Sequence, residues 1–192
     1  MENIQKIFEF IIEIEKLKDV YRKTKPVGLD RFENSAEHSW HVSLCALMLK
    51  EYANKSVNID RVIKMLLLHD LGEIDAGDTI VYDSDTREVK EKENAGFKRV
   101  LMLLPKHLQN ECLSLWEEFE EAQTPDAKYA KAIDRIPPLL HNLHGEGHSW
   151  KAHDISKEKV FAVNSKIQDG SQKVWDVLKE KLDNAVMTGI LK

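Results

Sequence analysis

The stretch Arg61-Val62-Ile63-Lys64-Met65-Leu66-Leu67-Leu68-His69-Asp70-Leu71-Gly72-Glu73 decides how this chain folds. It opens after two capping candidates, Asn58 and Asp60, and runs apolar through Met65-Leu66-Leu67-Leu68. It then delivers a histidine and an aspartate side by side. A helix that is apolar on nearly every side belongs in a core. Such a helix does not end on an unpaired His-Asp without cost: burying a neutral polar group unpartnered costs roughly 2–7 kcal/mol, and a charge costs more. A divalent cation compensates both groups at once.

The same argument extends outward from this helix. Asp134 lies in Tyr129-Ala130-Lys131-Ala132-Ile133-Asp134-Arg135-Ile136, where Ala130 and the Pro137-Pro138 pair share its helical face, so a carboxylate sits on an apolar side. His38 falls in the first turn of a helix that Asn34-Ser35 can cap, on the side of Val42 and Cys45. A histidine, then His-Asp 31 residues on, then an aspartate 64 residues after Asp70, each on an apolar helix, is a joint pattern far more specific than any one of its parts. Two imidazoles and two carboxylates suit one divalent transition metal (Mn, Co, Fe, Ni or Zn, with Mg possible), leaving other positions to water. Water on such an ion loses its proton near neutral pH, and the ion also polarises a phosphoryl oxygen. His41, three residues after His38, offers itself as an alternative ligand. Glu73 follows His69 by four and Asp70 by three, so it shares their face if the helix continues, placed as a general base or acid. Asp78 stands in a glycine loop, Ala76-Gly77-Asp78-Thr79, that lets a carboxylate approach a substrate.

The rest of the chain reads as helices. Ile4, Ile7, Phe8, Ile11, Ile12, Ile14 and Leu17 form a helical stripe from about residue 2 to 19. A second helix runs from Asn34-Ser35 to about residue 53, with Val42, Cys45, Ala46 and Leu49 inward, and a third from Arg61 to about Leu71. Asp85 is placed to cap a fourth, over 86–104, stopped by Pro105. Two more follow at 106–121 and 126–143, then a loop over His144-Gly145-Glu146-Gly147-His148-Ser149-Trp150. Ser156 caps a helix to about residue 168, and the last covers Gln172 to Asn184. No window alternates convincingly, so no substantial sheet is expected, and the fold class is all-α: a compact single-domain bundle over 1–192, with a core of about 5–165 and a C-terminal helical extension over 166–192.

Composition narrows the partners. At 192 residues the chain suits one domain with a sizeable core. Its net charge of -5 disfavours a nucleic-acid polymer and leaves a small phosphate ligand open, given a metal or local cations. Cys45 and Cys112 lie among apolar residues and form no C-x-x-C pair, which reads as buried thiols in a reducing, cytoplasmic setting. The start, Met1-Glu2-Asn3-Ile4, lacks a basic n-region, and no apolar run approaches the ~20 residues of a membrane span.

These motifs resemble the HD superfamily of metal-dependent phosphohydrolases, and within it the 5'-deoxynucleotidases and related HD-domain-containing proteins. The resemblance covers roughly residues 5 to 165 and rests on Leu17-Lys18 with Arg22, Ser35-Ala36-Glu37-His38-Ser39, His69-Asp70 with Glu73, Gly77-Asp78-Thr79, and Asp134. It implies an HD-domain helical bundle with the metal held by His38, His69, Asp70 and Asp134, and so prefers His38 over His41. It implies catalytic roles for Glu73 and Asp78, and substrate contacts from Arg22, Lys23 and Thr79, Arg22 orienting the phosphate with its planar fork. Where the characterised deoxynucleotidases carry an aromatic directly after that arginine, this chain has Lys23, which opens the choice between ribose and deoxyribose. Superfamily phosphodiesterases with two metals usually carry two further histidines between the HD pair and the last aspartate. Here that interval holds only His107, so one metal is expected.

The expected activity is removal of phosphate from nucleoside 5'-monophosphates by a metal-activated water, in an enzyme expected to be a homodimer. The alternatives are a nucleoside triphosphate phosphohydrolase of the same superfamily, which needs more basic residues than Lys18, Arg22, Lys23, Lys25 and Arg135 supply, and a non-catalytic metal- and nucleotide-binding regulatory module. His141, His144, His148 and His153 form a loose cluster read as polar loop and helix-end residues. Trp116, Trp150 and Trp175 read as core, and the charge run Arg87 to Glu93 reads as a solvated face.

Overall fold

The computed structural model describes residues 1–82 and 87–192, and it is helical almost throughout. The chain passes through α1 (Glu2–Ile14), a 3-10 turn (Glu15–Asp19), α2 (Ser35–Leu49), α3 (Ile59–Leu68), α4 (Glu73–Ala76) and α5 (Arg87–Leu101). It continues through α6 (Lys106–Glu121), α7 (Pro125–Asp134), α8 (Ile136–His144), α9 (His148–Ala152), α10 (Lys157–Asn164), α11 (Ile167–Gly170) and α12 (Gln172–Met187). Among the described residues the only extended pairing is an isolated bridge between Tyr21 and Asn34, so the all-α reading holds. The cap proposed at Asp85 lies outside the described residues.

Helix starts follow their capping chemistry. Asn34 begins α2 with a reciprocal capping box: its side chain accepts from the Glu37 amide while the Glu37 carboxylate accepts from the Asn34 amide. Asn58 rather than Asp60 caps α3, accepting from the Arg61 amide. Thr124, Ser156 and Ser171 do the same for α7, α10 and α12.

Several features differ from expectation, among them the helix expected from Ser156 to about 168, which ends at Asn164 before a separate turn of helix, Ile167–Gly170. The helix expected over 126–143 is two helices broken at Arg135, because Pro137 and Pro138 supply no amide to a continuing ladder and fit only a first turn. The loop over 144–150 shortens, since α9 already begins at His148. α3 ends at Leu68, ahead of the HD pair, and the chain turns before α4. The apolar stripe of α1 splits: Ile7, Phe10 and Ile14 pack with Leu17, Leu71 and Phe97, while Ile4, Phe8, Ile11 and Ile12 face outward.

The main core lies between α2, α3, α7 and α12. Val42, Ala46, Val62, Met65, Leu66, Tyr129 and Ile133 have no exposed surface, and the Tyr129 hydroxyl donates to the Ala46 carbonyl at 2.9 Å. Trp175, Leu178 and Leu182 of α12 belong to the same cluster. Trp150 and Trp175 are core, as read; Trp116 stacks on Phe97 at 4.7 Å and also borders the principal cavity. Cys45 and Cys112 are free and half-buried rather than fully buried.

Candidate metal centre and active site

Three helix ends meet at one point. α3 delivers His69 and Asp70 just past its C-terminus, α7 ends on Asp134, and the first turn of α2 carries His38. The turn after Asp70 passes so close to α5 that a Cβ on Gly72 would stand 2.3 Å from the Glu93 carbonyl oxygen. Only glycine lets these two segments touch. The turn also sets Glu73: its amide bonds the Asp70 carbonyl at 3.0 Å, so this turn, and not a continuing α3, brings Glu73 beside the HD pair.

The centre is tight. His38 Nε2 lies 2.8 Å from Asp134 Oδ1. His69 Nε2 lies 3.0 Å from Asp70 Oδ1 and 3.3 Å from Asp134 Oδ1. His69 Nδ1 stands 2.7 Å from the Leu66 carbonyl, an acceptor only, so Nδ1 carries a hydrogen there and Nε2 turns toward the two carboxylates. Nε2 is buried without a hydrogen bond of its own. A nitrogen lone pair aimed at two carboxylate oxygens needs a positive charge between them. The residues therefore fit a divalent ion, and the mixed imidazole and carboxylate donors suit one. His38, His69 and Asp134 each offer a donor atom within 4.8 Å of the others. Without an ion a proton takes its place: burial opposes charge on His69, but Asp70 and Asp134 outweigh it and push its pKa up to about 10. Burial likewise opposes charge on Asp134, yet its bonds to His38 and His69 hold it well below the usual carboxylate range.

Around this centre stand four further carboxylate or guanidinium groups. Arg22 is not a solvated cation. Its Nη1 donates to Asp70 Oδ2 at 3.0 Å and lies 3.5 Å from Asp78 and 4.0 Å from Glu73, while its Nε lies 3.7 Å from Glu33 Oε2. Glu73 accepts from the Ser35 hydroxyl at 2.6 Å. Burial, with Asp70 beside it, raises the Glu73 pKa well above the ordinary value despite Arg22. Asp78 is raised too, chiefly by burial. Lys23 and Thr79 border the same cavity, Lys23 exposed and Thr79 half-buried.

That cavity measures about 630 Å³, inside the range of small-ligand sites. Its walls include groups that sequence spacing does not suggest. Lys128 and Lys131 come from α7 ahead of Asp134, Lys166 from the turn between α10 and α11, and Glu93 from the charge run, where burial and the nearby Glu120 raise its pKa to about 7. Glu33, buried behind His38 and not on this cavity wall, is a further residue that spacing does not suggest; its Oε2 lies 3.4 Å from His38 Nδ1. Its only sequence signal is a place five residues before His38 in the turn that leads into α2. His41 points away from the centre, toward Glu33, and so is not a member of the first ligand set. Of the four histidines near the glycine loop only His141 is buried; His144, His148 and His153 are exposed, as is His107.

Comparison with known proteins agrees with this geometry. Residues 14–175 match the family model of the HD domain. The chain is 31% identical over 119 residues to the 5'-deoxynucleotidase HDDC2 of Xenopus laevis, covering 62% of this chain and 58% of that protein. It is 36% identical over 113 residues to the 5'-deoxynucleotidase PM0747 of Pasteurella multocida, covering 54% and 57%. These matches span a little over half the length of the curated relatives. A crystal structure from Magnetospirillum magnetotacticum MS-1, described as a predicted metal-dependent phosphohydrolase, is 40% identical and superposes with a TM-score of 0.94, covering 100% of this chain and 99% of that one. With the motif residues, the helical frame and the match over most of its length in agreement, this chain belongs to the HD domain family.

Proposed function

We propose that this protein is a metal-dependent phosphohydrolase that removes phosphate from nucleoside 5'-monophosphates, of the 5'-nucleotidase and 5'-deoxynucleotidase type. The observation that carries the reading is the unsatisfied Nε2 of His69, between Asp70 and Asp134, on the wall of a cavity that also holds Arg22, Glu73 and Asp78. His38, His69, Asp70 and Asp134 hold one divalent transition ion, drawn from Mn, Co, Fe, Ni and Zn, with Mg possible. When bound, such an ion lowers the pKa of water and neutralises charge on a phosphoryl oxygen.

The chain's own groups do the rest. Glu73, fixed by Ser35 and with its pKa raised by burial, takes up the proton of the attacking water or returns one to the leaving oxygen. Arg22 is held in place by Asp70 and Asp78 and turns its remaining N–H groups toward the phosphate. Asp78 assists at the scissile phosphate and sugar, and Lys23 and Thr79 contact the nucleotide from the rim.

The test is phosphate release from a panel of ribo- and deoxyribonucleoside 5'-monophosphates by protein stripped and reloaded with Mn, Co, Zn or Mg. Release that requires metal and vanishes in Asp70→Ala supports the reading; no release from any monophosphate refutes it. A triphosphate substrate is a second reading, favoured by Lys128, Lys131 and Lys166 on the cavity wall, and triphosphates belong in the same panel. No described helix is long and apolar enough to cross a membrane. The proposal places the enzyme in the cytoplasm as a homodimer, for which Trp40, Leu44, Leu47 and Met48 form an exposed apolar stripe along α2.

A further inference from the structure

Behind His38 a second group of metal-type donors converges. Glu33 Oε1 stands 4.0 Å from His41 Nδ1 and 4.0 Å from His141 Nε2. The two histidine rings stack at 6.1 Å between centroids, with 29° between planes. All three donor atoms lie within 4.8 Å of one another. These separations exceed hydrogen-bond range. Glu33 and His141 are buried, only 2% and 5% exposed, and the Glu33 carboxylate has one oxygen, Oε2, with no hydrogen-bond partner.

The parts are held in place. The Glu33 backbone is tied at both ends, its carbonyl accepting from the Arg22 amide at 2.8 Å and its amide donating to the Thr24 carbonyl at 3.0 Å. The Thr24 hydroxyl lies 3.2 Å from His141 Nδ1, which orients the ring and turns Nε2 toward Glu33. His41 is partly exposed, and His141 borders a separate cavity of about 300 Å³, so the cluster is reachable from solvent. Zinc binds histidine nitrogen and carboxylate oxygen at about 2.0–2.2 Å, which puts tetrahedral donors about 3.4 Å apart. Closing the two 4.0 Å gaps takes about 0.6 Å each, and the His41–His141 pair, within 4.8 Å, closes by at most about 1.4 Å.

We propose that Glu33, His41 and His141 bind a second divalent ion of zinc type, on the far side of the His38 ring from the first centre. Two imidazoles and one carboxylate leave a fourth position for water. Glu33 then links the two centres, with Oε1 on the second ion and Oε2 toward Nδ1 of His38. That arrangement fixes the His38 tautomer and leaves Nε2 for the first ion. The His38 ring separates the two ions, so the second is a positioning and stabilising site. The assignment does not depend on the proposed hydrolytic activity.

The experiment is equilibrium dialysis of the metal-stripped full chain against zinc, with bound metal counted by mass spectrometry. The wild type is expected to take two ions per chain. His41→Ala and His141→Ala are expected to take one. Asp70→Ala is expected to take one as well, losing the first centre and keeping the second. Circular dichroism checks folding, and His41→Ala, at a partly exposed position, carries the test even if His141→Ala unfolds. A wild type that binds one ion, lost in Asp70→Ala and retained in both histidine variants, overturns the second centre and leaves the first intact. A wild type that binds none overturns both.

Discussion

Replacing Glu73 with glutamine separates catalysis from metal binding. The Glu73 side chain accepts from the Ser35 hydroxyl at 2.6 Å and lies 4.0 Å from Arg22. The amide of Glu73→Gln has the same shape, and its oxygen keeps the Ser35 bond, so packing and the four-residue metal centre remain. What is lost is the ability to exchange a proton. General acid–base catalysis by one positioned group is worth about 10²–10⁴ in rate, or roughly 3–5 kcal/mol of barrier. The expected result is a kcat lowered by that factor, with the number of bound ions unchanged and KM within a few-fold. The pH profile adds a second readout. Burial and Asp70 raise the Glu73 pKa, so a wild-type rate that depends on its ionised form falls as pH drops through that raised value, and Glu73→Gln abolishes this limb. Phosphate release at saturating nucleotide, alongside metal analysis of the same sample, measures both. A variant that turns over within threefold of the wild type refutes the role of Glu73. One that loses its ion shows that Glu73 belongs to the ligand set instead.

Arg22→Lys replaces a fork that reaches Asp70 and Asp78 together with a single point of charge. KM for the nucleotide is expected to rise about tenfold, the equivalent of one charge-assisted hydrogen bond of about 1.4 kcal/mol, and an unchanged KM speaks against phosphate orientation by this residue. Glu93 has a folded pKa of about 7, raised by burial and Glu120, against about 4.3 unfolded. Its favourable contribution is fully present below the unfolded value and is lost as pH rises through 7, so Glu93→Gln is expected to raise the urea midpoint at pH 8 and leave it unchanged at pH 4. Equal midpoint shifts at both pH values contradict this. Gly72→Ala forces a methyl to 2.3 Å from the Glu93 carbonyl oxygen, and overpacking of this kind costs about 1–3 kcal/mol. Thermal unfolding measures the loss, and a melting temperature equal to the wild type means the turn carries no such constraint.

Much of this protein is legible along the chain because the signals are local. Helix starts follow from a side-chain oxygen reaching an amide three residues on, which is why Asn34, Asn58 and Ser156 are read as caps without knowledge of the fold. His69, Asp70 and Asp134 stand out because each interrupts an apolar helical face, and the cost of burying such a group is a property of the residue and its neighbours. Convergence is a different matter. Nothing in the spacing of His38 and His41 decides which faces Asp134; the direction of α2 relative to α7 decides it. The charge run containing Glu93 reads as solvated because helical periodicity does not show that the Gly72 turn packs against it. Lys128, Lys131 and Lys166 join one cavity across intervals of sequence with no common motif. Glu33, remote in character from any ligand pattern, becomes the carboxylate between His38, His41 and His141 only when the turn before α2 folds under α8. The sequence by itself determined the helices, their caps and the polar residues that burial would strand. Tertiary structure alone decided which of those groups meet, because the distances that control electrostatics and coordination are set by how helices cross and not by how residues follow one another.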